Sequence, residues 1–339
     1  MSKQRFSVAI VGATGIVGEA LLAALAERDF PVDKLYALAR AEGEEQDTVL
    51  FADRPVMVDA LANFDFSQCR FAFFCAPAAV AKKYAPKALA AGCSVIDISA
   101  QFRLDAAVPL LVADTNAVSL AAAEGPRLLA GPSAQALQLA TVLQPLAQAV
   151  GIKSIDVTTL TAVSALGRPG VSELAGQTAR LLNAQSIKHQ VFPTQIAFNA
   201  VPAFDAVQES GYTLDELNIA AEIKKLLLNE HIGVSVTQVF VPVFYCHSQV
   251  IRIETLAPLS AAAAGKLLAA APGVEMVKSK RQFSPIDAGV DSGAVKVGRI
   301  RQMPDSDRVL TLWTVADNIR KGAAVNSVRI AETLLKPHL

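Results

Sequence analysis

A six-residue apolar run, Phe6–Val11, ends directly in the glycine loop Gly12-Ala13-Thr14-Gly15-Ile16-Val17-Gly18, and an Ala- and Leu-rich stretch over 19–28 follows without a break. No other feature narrows the fold as much. A short unbroken apolar run reads as a buried strand. Glycines after such a strand permit a tight turn and close approach of a pyrophosphate, and the next helix offers unpaired N–H groups and the positive end of its dipole. Strand, loop and helix in this order predict a Rossmann-like fold. The alternative is a tight strand-to-helix turn with no ligand.

The first third of the chain continues the pattern. Apolar runs at 35–39, 70–75 and 94–98 read as strands, and 80–91 reads as a helix between the last two. Strands alternating with helices imply βαβ units and a parallel sheet buried on both faces. The middle differs. Residues 152–163 alternate with Thr on one side, 234–255 form a long β-rich stretch, and 295–303 and 309–315 follow. Alternating strands without regular intervening helices predict a mixed or antiparallel sheet with one wet face, a candidate dimer surface. Residues 318–335 read as an amphipathic helix. The expected class is therefore α/β, in two domains that pack without a linker.

Composition excludes several functions. Lys plus Arg and Asp plus Glu both number 31 among 339 residues, with no basic block. A phosphate-gripping nucleic-acid binder or a polybasic membrane binder carries a basic excess. Hydrophobic residues reach 52%, yet a long apolar stretch such as 259–272 is Ala-rich and interrupted by Lys266, so no membrane span is expected. No signal peptide is visible. Four cysteines without C-x-x-C spacing read as reduced thiols of a cytoplasmic protein. His189, His231 and His338 lack metal-ligand spacing, and no metal is expected.

Cofactor choice in such folds is set after the second strand, where an acid holds the ribose of NAD and an Arg accepts the 2′-phosphate of NADP. Arg40 stands there, followed by Glu42, Glu44 and Glu45. Arg40 favours NADP and the carboxylates oppose a second phosphate. NAD, NADP and an internally paired Arg40 with no cofactor all remain open.

The chain resembles the aspartate-semialdehyde dehydrogenase family nearly end to end. The resemblance is carried by VAIVGATGIVGEALL, KYAPKALAAGCSVIDISAQFRLD, LLAGPSAQALQLATVLQPL, TAVSALGRPGVSELAGQT, FPTQIAFNAVP, VPVFYCHSQ and DNIRKGAAVNSVRIAE. It implies a Rossmann-like NAD(P) domain over 1–129, a central α+β dimerisation and substrate domain over 130–316, and a C-terminal helix, 317–339, returning to the first domain. It also implies a homodimer. In the family a Cys thiolate forms a thiohemiacetal with the aldehyde, hydride passes to NADP, phosphate cleaves the thioester, and a His serves as acid/base.

Several site positions depart from the family pattern. Its nucleophile segment is similar to Asn-Pro-Asn-Cys, and the matching residues here are Gly131, Pro132, Ser133 and Ala134. The nucleophile position is thus Ala134, and a methyl group cannot attack a carbonyl. The substrate-carboxylate Arg matches Phe240, the substrate Gln matches Thr161, and a helix Lys matches Asn218. Arg103 matches the family's phosphate Arg and His247 its acid/base. This pattern is similar to bacterial paralogues that keep the fold and lack the cysteine.

No residue stands in plainly for the thiol. Cys246 adjoins His247, and strand alternation would point it to the opposite face. Cys75 ends the third strand near the expected cofactor crevice and is either a redox group or an ordinary buried thiol. Ser133 is expected to cap a helix. His247 is either a working acid/base or a packed residue. Three functions follow: a dehydrogenase-like protein without aldehyde oxidation, an oxidoreductase on a less acidic substrate with Phe240 lining an apolar pocket, or an interaction protein without cofactor.

Overall fold

The computed structural model describes residues 4–40, 48–117, 125–202, 204–277, 283–288 and 292–335. The first elements are β1 (Phe6–Val11), α1 (Ile16–Glu27), β2 (Val32–Ala39), β3 (Thr48–Phe51), β4 (Arg54–Ala60), β5 (Phe71–Phe74), α2 (Ala78–Ala90), β6 (Ser94–Asp97) and β7 (Leu128–Ala130). Next come α3 (Ala134–Val150), β8 (Ile152–Thr161), α4 (Gly167–Leu182), β9 (Val201–Pro202), α5 (Leu214–Leu226), β10 (Gly233–Phe240) and β11 (His247–Thr255). The last are α6 (Ala261–Ala269), β12 (Val274–Met276), α7 (Pro285–Ala288), β13 (Val295–Gln302), β14 (Val309–Ala316) and α8 (Val325–Leu335). The chain divides into two compact units, one of Met1–Ser133 with Ala323–Leu339 and one of Ala134–Gly322.

The first unit is a doubly wound sheet in the order β3-β4-β2-β1-β5-β6-β7, parallel except for the β3–β4 hairpin. On one face Val8, Ile10, Phe71 and Phe73 pack with Leu21 and Leu25 of α1 and Val328 and Ala331 of α8. On the other, Ala9, Val11, Ala72 and Phe74 meet Ala81, Ala85 and Ala88 of α2. Helices on both faces explain why the strands are continuously apolar. The Rossmann-like reading and the returning C-terminal helix are both present. The Arg28 guanidinium donates to both Glu332 oxygens at 2.8 and 2.7 Å, joining α1 to α8.

The hairpin was not expected. Its turn residues Ala52 and Asp53 both have positive φ, 47° and 62°. That is the geometry of a two-residue hairpin turn, yet the pair lacks the glycine or asparagine that usually signals one.

The second unit holds a mixed sheet in the order β12-β13-β14-β11-β8-β10-β9. The β-rich stretch 234–255 is two strands, because Pro242 cannot donate to a ladder and Cys246 turns the chain at φ 72°. One sheet face buries Ile155, Val157, Ile251, Ile253, Leu310 and Leu312, and α3 packs against it. The opposite face carries exposed Val250 and the cross-strand ion pair Arg252–Asp156 at 2.9 Å.

The helix expected over 318–335 begins only at Val325. Before it, Asp317 Oδ1 accepts from the amides of Ile319 and Arg320, both at 2.8 Å. A wide turn follows over Arg320–Ala324, in which the Gly322 amide donates to the Asp317 carbonyl five residues back. Such π-type turns recur at functional sites. Among the described residues no helix is long and apolar enough to cross a membrane.

Candidate functional site

In the first unit the glycine loop sits where the strand order reverses, between β1 and β5. Gly12 has φ 89°, and a Cβ there would lie 2.8 Å from the Cys75 carbonyl that follows β5. A Cβ on Gly18 would lie 2.3 Å from the Gly12 carbonyl. These two glycines therefore let the loop close on β5 and the helix close on the loop. Gly15 is the N-cap of α1 and contributes no side-chain cap. The loop residues Ala13 and Thr14 and the first-turn residues Ile16 and Val17 complete the turn. An uncapped helix start at a switch point has the chemistry and position that suit a phosphate. Arg40 follows β2 and is exposed. The carboxylates Glu42, Glu44 and Glu45 lie outside the described residues.

Arg103 and Asp97 shape the segment leading to α3. Arg103 Nη2 donates to the Ile98 carbonyl at 2.6 Å and Nε to the Gly131 carbonyl at 3.2 Å. The Gly131 amide in turn donates to the Asp97 carbonyl at 2.8 Å. The guanidinium thus ties the end of β6 to the start of the segment matched to the nucleophile loop. The Asp97 side chain accepts from the Ser99 amide and hydroxyl at 3.1 and 2.8 Å. Burial pushes its carboxyl above the usual range, while Ser99 and the Arg103 charge oppose that shift.

In the second unit, Ala134 heads α3. A Cβ added to Gly322 would lie 2.6 Å from the Ala134 Cβ, so the wide turn before α8 runs close to this methyl only because position 322 is glycine. His247 opens β11, paired with Ala316 at the end of β14. Thr161 ends β8 opposite Phe240, which ends β10. Ala162 N donates to His247 Nδ1 at 3.1 Å. Gln249 Nε2 donates to the Gln135 carbonyl at 3.0 Å, binding the first turn of α3 to the strand of His247. The fold therefore gathers Ala134, Thr161, Phe240 and His247 at one end of this sheet. Asn218 is on α5, whose capping box uses Thr213 and Glu216, and Glu216 Oε1 accepts from the Gln238 amide at 2.8 Å. No hydrogen bond joins Asn218 itself to the others among the described residues.

His247 is 1% exposed, and desolvation pushes it down to about 3. It is a neutral imidazole at ordinary pH. Phe240 is 2% exposed, with ring centroids 5.5 Å from Phe192 and 5.0 Å from Phe204. Its ring fills an aromatic cluster. Thr161 Oγ1 lies 3.2 Å from Thr159 Oγ1, both buried.

Burial keeps Cys69, Cys75 and Cys93 protonated. It pushes Cys69 up to about 12, Cys93 to about 11, and Cys75 higher still. Cys93 Sγ donates to the carbonyls of Phe66 and Cys69, both at 3.0 Å. Cys246 is buried with Val315, Trp313 and Phe283. Strand alternation does not account for its placement, because it precedes β11 in a left-handed turn.

Sequence reasoning missed the polar core beneath the site. Gln138 Nε2 donates to Thr314 Oγ1 at 2.7 Å, and Thr314 Oγ1 donates to Gln249 Oε1 at 3.4 Å. Asn318 Oδ1 accepts from the Cys246 amide at 2.9 Å, and its Nδ2 donates to Ser164 Oγ at 3.0 Å. The available signal was Gln135 and Gln138, polar at helical spacing in an apolar helix. Among the described residues no His, Cys, Asp and Glu cluster could hold a metal.

The comparisons with known proteins agree along the chain. The family model described as semialdehyde dehydrogenase, NAD binding domain, matches residues 7–123, and that described as semialdehyde dehydrogenase, dimerisation domain, matches 143–321. An aspartate-semialdehyde dehydrogenase of Legionella pneumophila is 43% identical over 99% of this chain and 97% of its own. A USG-1 protein homolog of Pseudomonas aeruginosa is 41% identical over 99% of each. The crystal structure of aspartate semialdehyde dehydrogenase II complexed with ASA, from Vibrio cholerae, matches with a TM-score of 0.94 at 39% identity, over 99% of this chain and 100% of that one. With both family domains present and such relatives spanning its length, the chain belongs to the aspartate-semialdehyde dehydrogenase family.

Proposed function

We propose that this chain is a dinucleotide-binding member of the family that lacks the covalent, phosphorylating oxidation of an aldehyde. The observation that carries the reading is the methyl of Ala134 at the head of α3, at the same sheet end as His247. With the nucleophile position a methyl, no thiohemiacetal can form there. The other changes support the same conclusion. Phe240 brings an aromatic cluster where the family pattern has a cation, so a bidentate clamp on a substrate carboxylate is absent. Thr161 and Asn218 replace the remaining polar contacts. Cys69, Cys75 and Cys93 are held as thiols, which are poor nucleophiles.

NAD or NADP fits the first unit. The amides at the start of α1 would take the pyrophosphate, with Gly12 and Gly18 keeping the approach clear, and Arg40 would meet the ribose end. A bound nicotinamide supplies hydride exchange. His247 stays uncharged beside any ligand of the second unit. The reading also includes a homodimer through the partly exposed face of the second sheet, supported by exposed Val250 on that face. None of the four cysteines is in a disulfide, which suits a reducing, cytoplasmic setting.

The test is turnover of aspartate semialdehyde by the pure protein with NADP and phosphate, followed by nicotinamide absorbance. The expected rate equals that of a no-enzyme control, and a rate above it overturns the proposal. Thermal shift with NAD and NADP checks cofactor binding, because a ligand of the native state must raise its stability.

A further inference from the structure

We infer that His247 is locked as the Nε2–H tautomer and therefore offers a ligand a hydrogen-bond donor and not a base. The inference deepens the proposed reading of the second unit's site and rests on it for the presence of a ligand. The lock comes from the backbone. Ala162 N–H points at Nδ1 at 3.1 Å, so Nδ1 must be the unprotonated nitrogen. A neutral imidazole has one donor and one acceptor, and here the acceptor is spent. A flipped ring would aim a C–H at the same amide and leave a buried N–H without a partner.

Nε2 has no hydrogen-bond partner among the described residues, although the side chain is 1% exposed. A donor with no partner in the protein is the kind of group that a ligand oxygen satisfies. Among the described residues no charged group perturbs its titration, which burial alone shifts. The His247 carbonyl accepts from the uncharged Gln138 at 3.5 Å, and its ladder partner is Ala316. Desolvation alone accounts for the depressed basicity. To take a proton from a thiol or hydroxyl, Nε2 would need the lone pair that its own proton occupies. The group it can serve is an acceptor oxygen, as in a carbonyl or carboxylate.

This assignment explains how a family acid/base position can persist where the nucleophile position is a methyl. A donor needs no thiol to serve. It orients or polarises an oxygen, and it does so without changing its own charge.

The test is a two-bond proton–nitrogen spectrum of protein labelled with 15N-histidine, near pH 7.5 and near pH 5.5. The His247 signals are assigned by their loss in His247→Gln. Should that variant not fold, single Gln variants of His189, His231 and His338 assign them by elimination. The expected pattern is a protonated Nε2 and an unprotonated Nδ1, the same at both pH values. A protonated Nδ1, or an imidazolium pattern at the lower pH, overturns the inference. Neither outcome bears on turnover, so failure here is distinct from failure of the proposed function.

Discussion

Acid should weaken the second unit through one residue. The imidazole of His247 is kept neutral in the fold down to about 3, while an unfolded histidine takes a proton near 6.5. Above 6.5 both states are neutral and the stability is full. As pH falls from 6.5 toward 3, only the unfolded chain gains the proton, and stability is lost. The cost is about 1.4 kcal/mol for each pH unit in that window. Between pH 7.5 and pH 4 it reaches about 3 kcal/mol, a large share of a typical domain's stability. The single Trp, Trp313, lies on β14 of the same unit and provides a local probe, its indole donating to the Phe283 carbonyl at 3.3 Å. The assay is denaturant unfolding followed by Trp fluorescence at several pH values, on the native chain and on His247→Gln. Other titrating groups, Asp97 among them, are common to both and cancel in the difference. The native chain should lose about 3 kcal/mol more than the variant over this range. Equal losses in the two proteins would refute the reasoning, because they would mean that His247 is protonated in the fold or solvated within it.

Other outcomes follow from the packing. Phe240→Ala should cost about 3–5 kcal/mol in denaturant unfolding, since it opens a cavity against Phe192 and Phe204; a loss below about 1 kcal/mol would contradict the filled cluster. Gly322→Ala should destabilise by about 1–3 kcal/mol, because its Cβ would press on Ala134 at 2.6 Å. Gly18→Ala should lower the melting temperature and abolish any thermal shift by dinucleotide, and unchanged binding would argue against the glycine loop as the phosphate site. Ala134→Cys places a thiol at a helix N-terminus, where the dipole favours thiolate. Alkylation by iodoacetamide near pH 7 should then be faster than for the native chain, whose Cys69, Cys75 and Cys93 are held as thiols.

Gly322 and Ala134 connect two segments that no local pattern joins. The close approach requires glycine at one position and a small side chain at the other, and a wide turn brings them together. Asp317 makes that turn by capping two amides that a regular helix would leave open. The amphipathic period of 318–335 is real, but period alone cannot register an Asp that redirects the first turns.

The parallel start of the chain, the glycine loop, the mixed second sheet and the family were legible in the amino-acid order alone. Each depends on local chemistry: β-strand and helix periods, glycine's freedom at φ 89° in Gly12, and runs of residues that carry a resemblance. The candidate positions Ala134, Phe240 and His247 were legible for the same reason. Tertiary structure alone decided what surrounds them. The hairpin turn at Ala52 and Asp53 carries no glycine signal. Phe240 meets Phe192 from a distant segment, and the amide that sets the His247 tautomer comes from Ala162, 85 residues away. Burial, partner and protonation are properties of neighbours in space, and a residue's neighbours in sequence do not determine them.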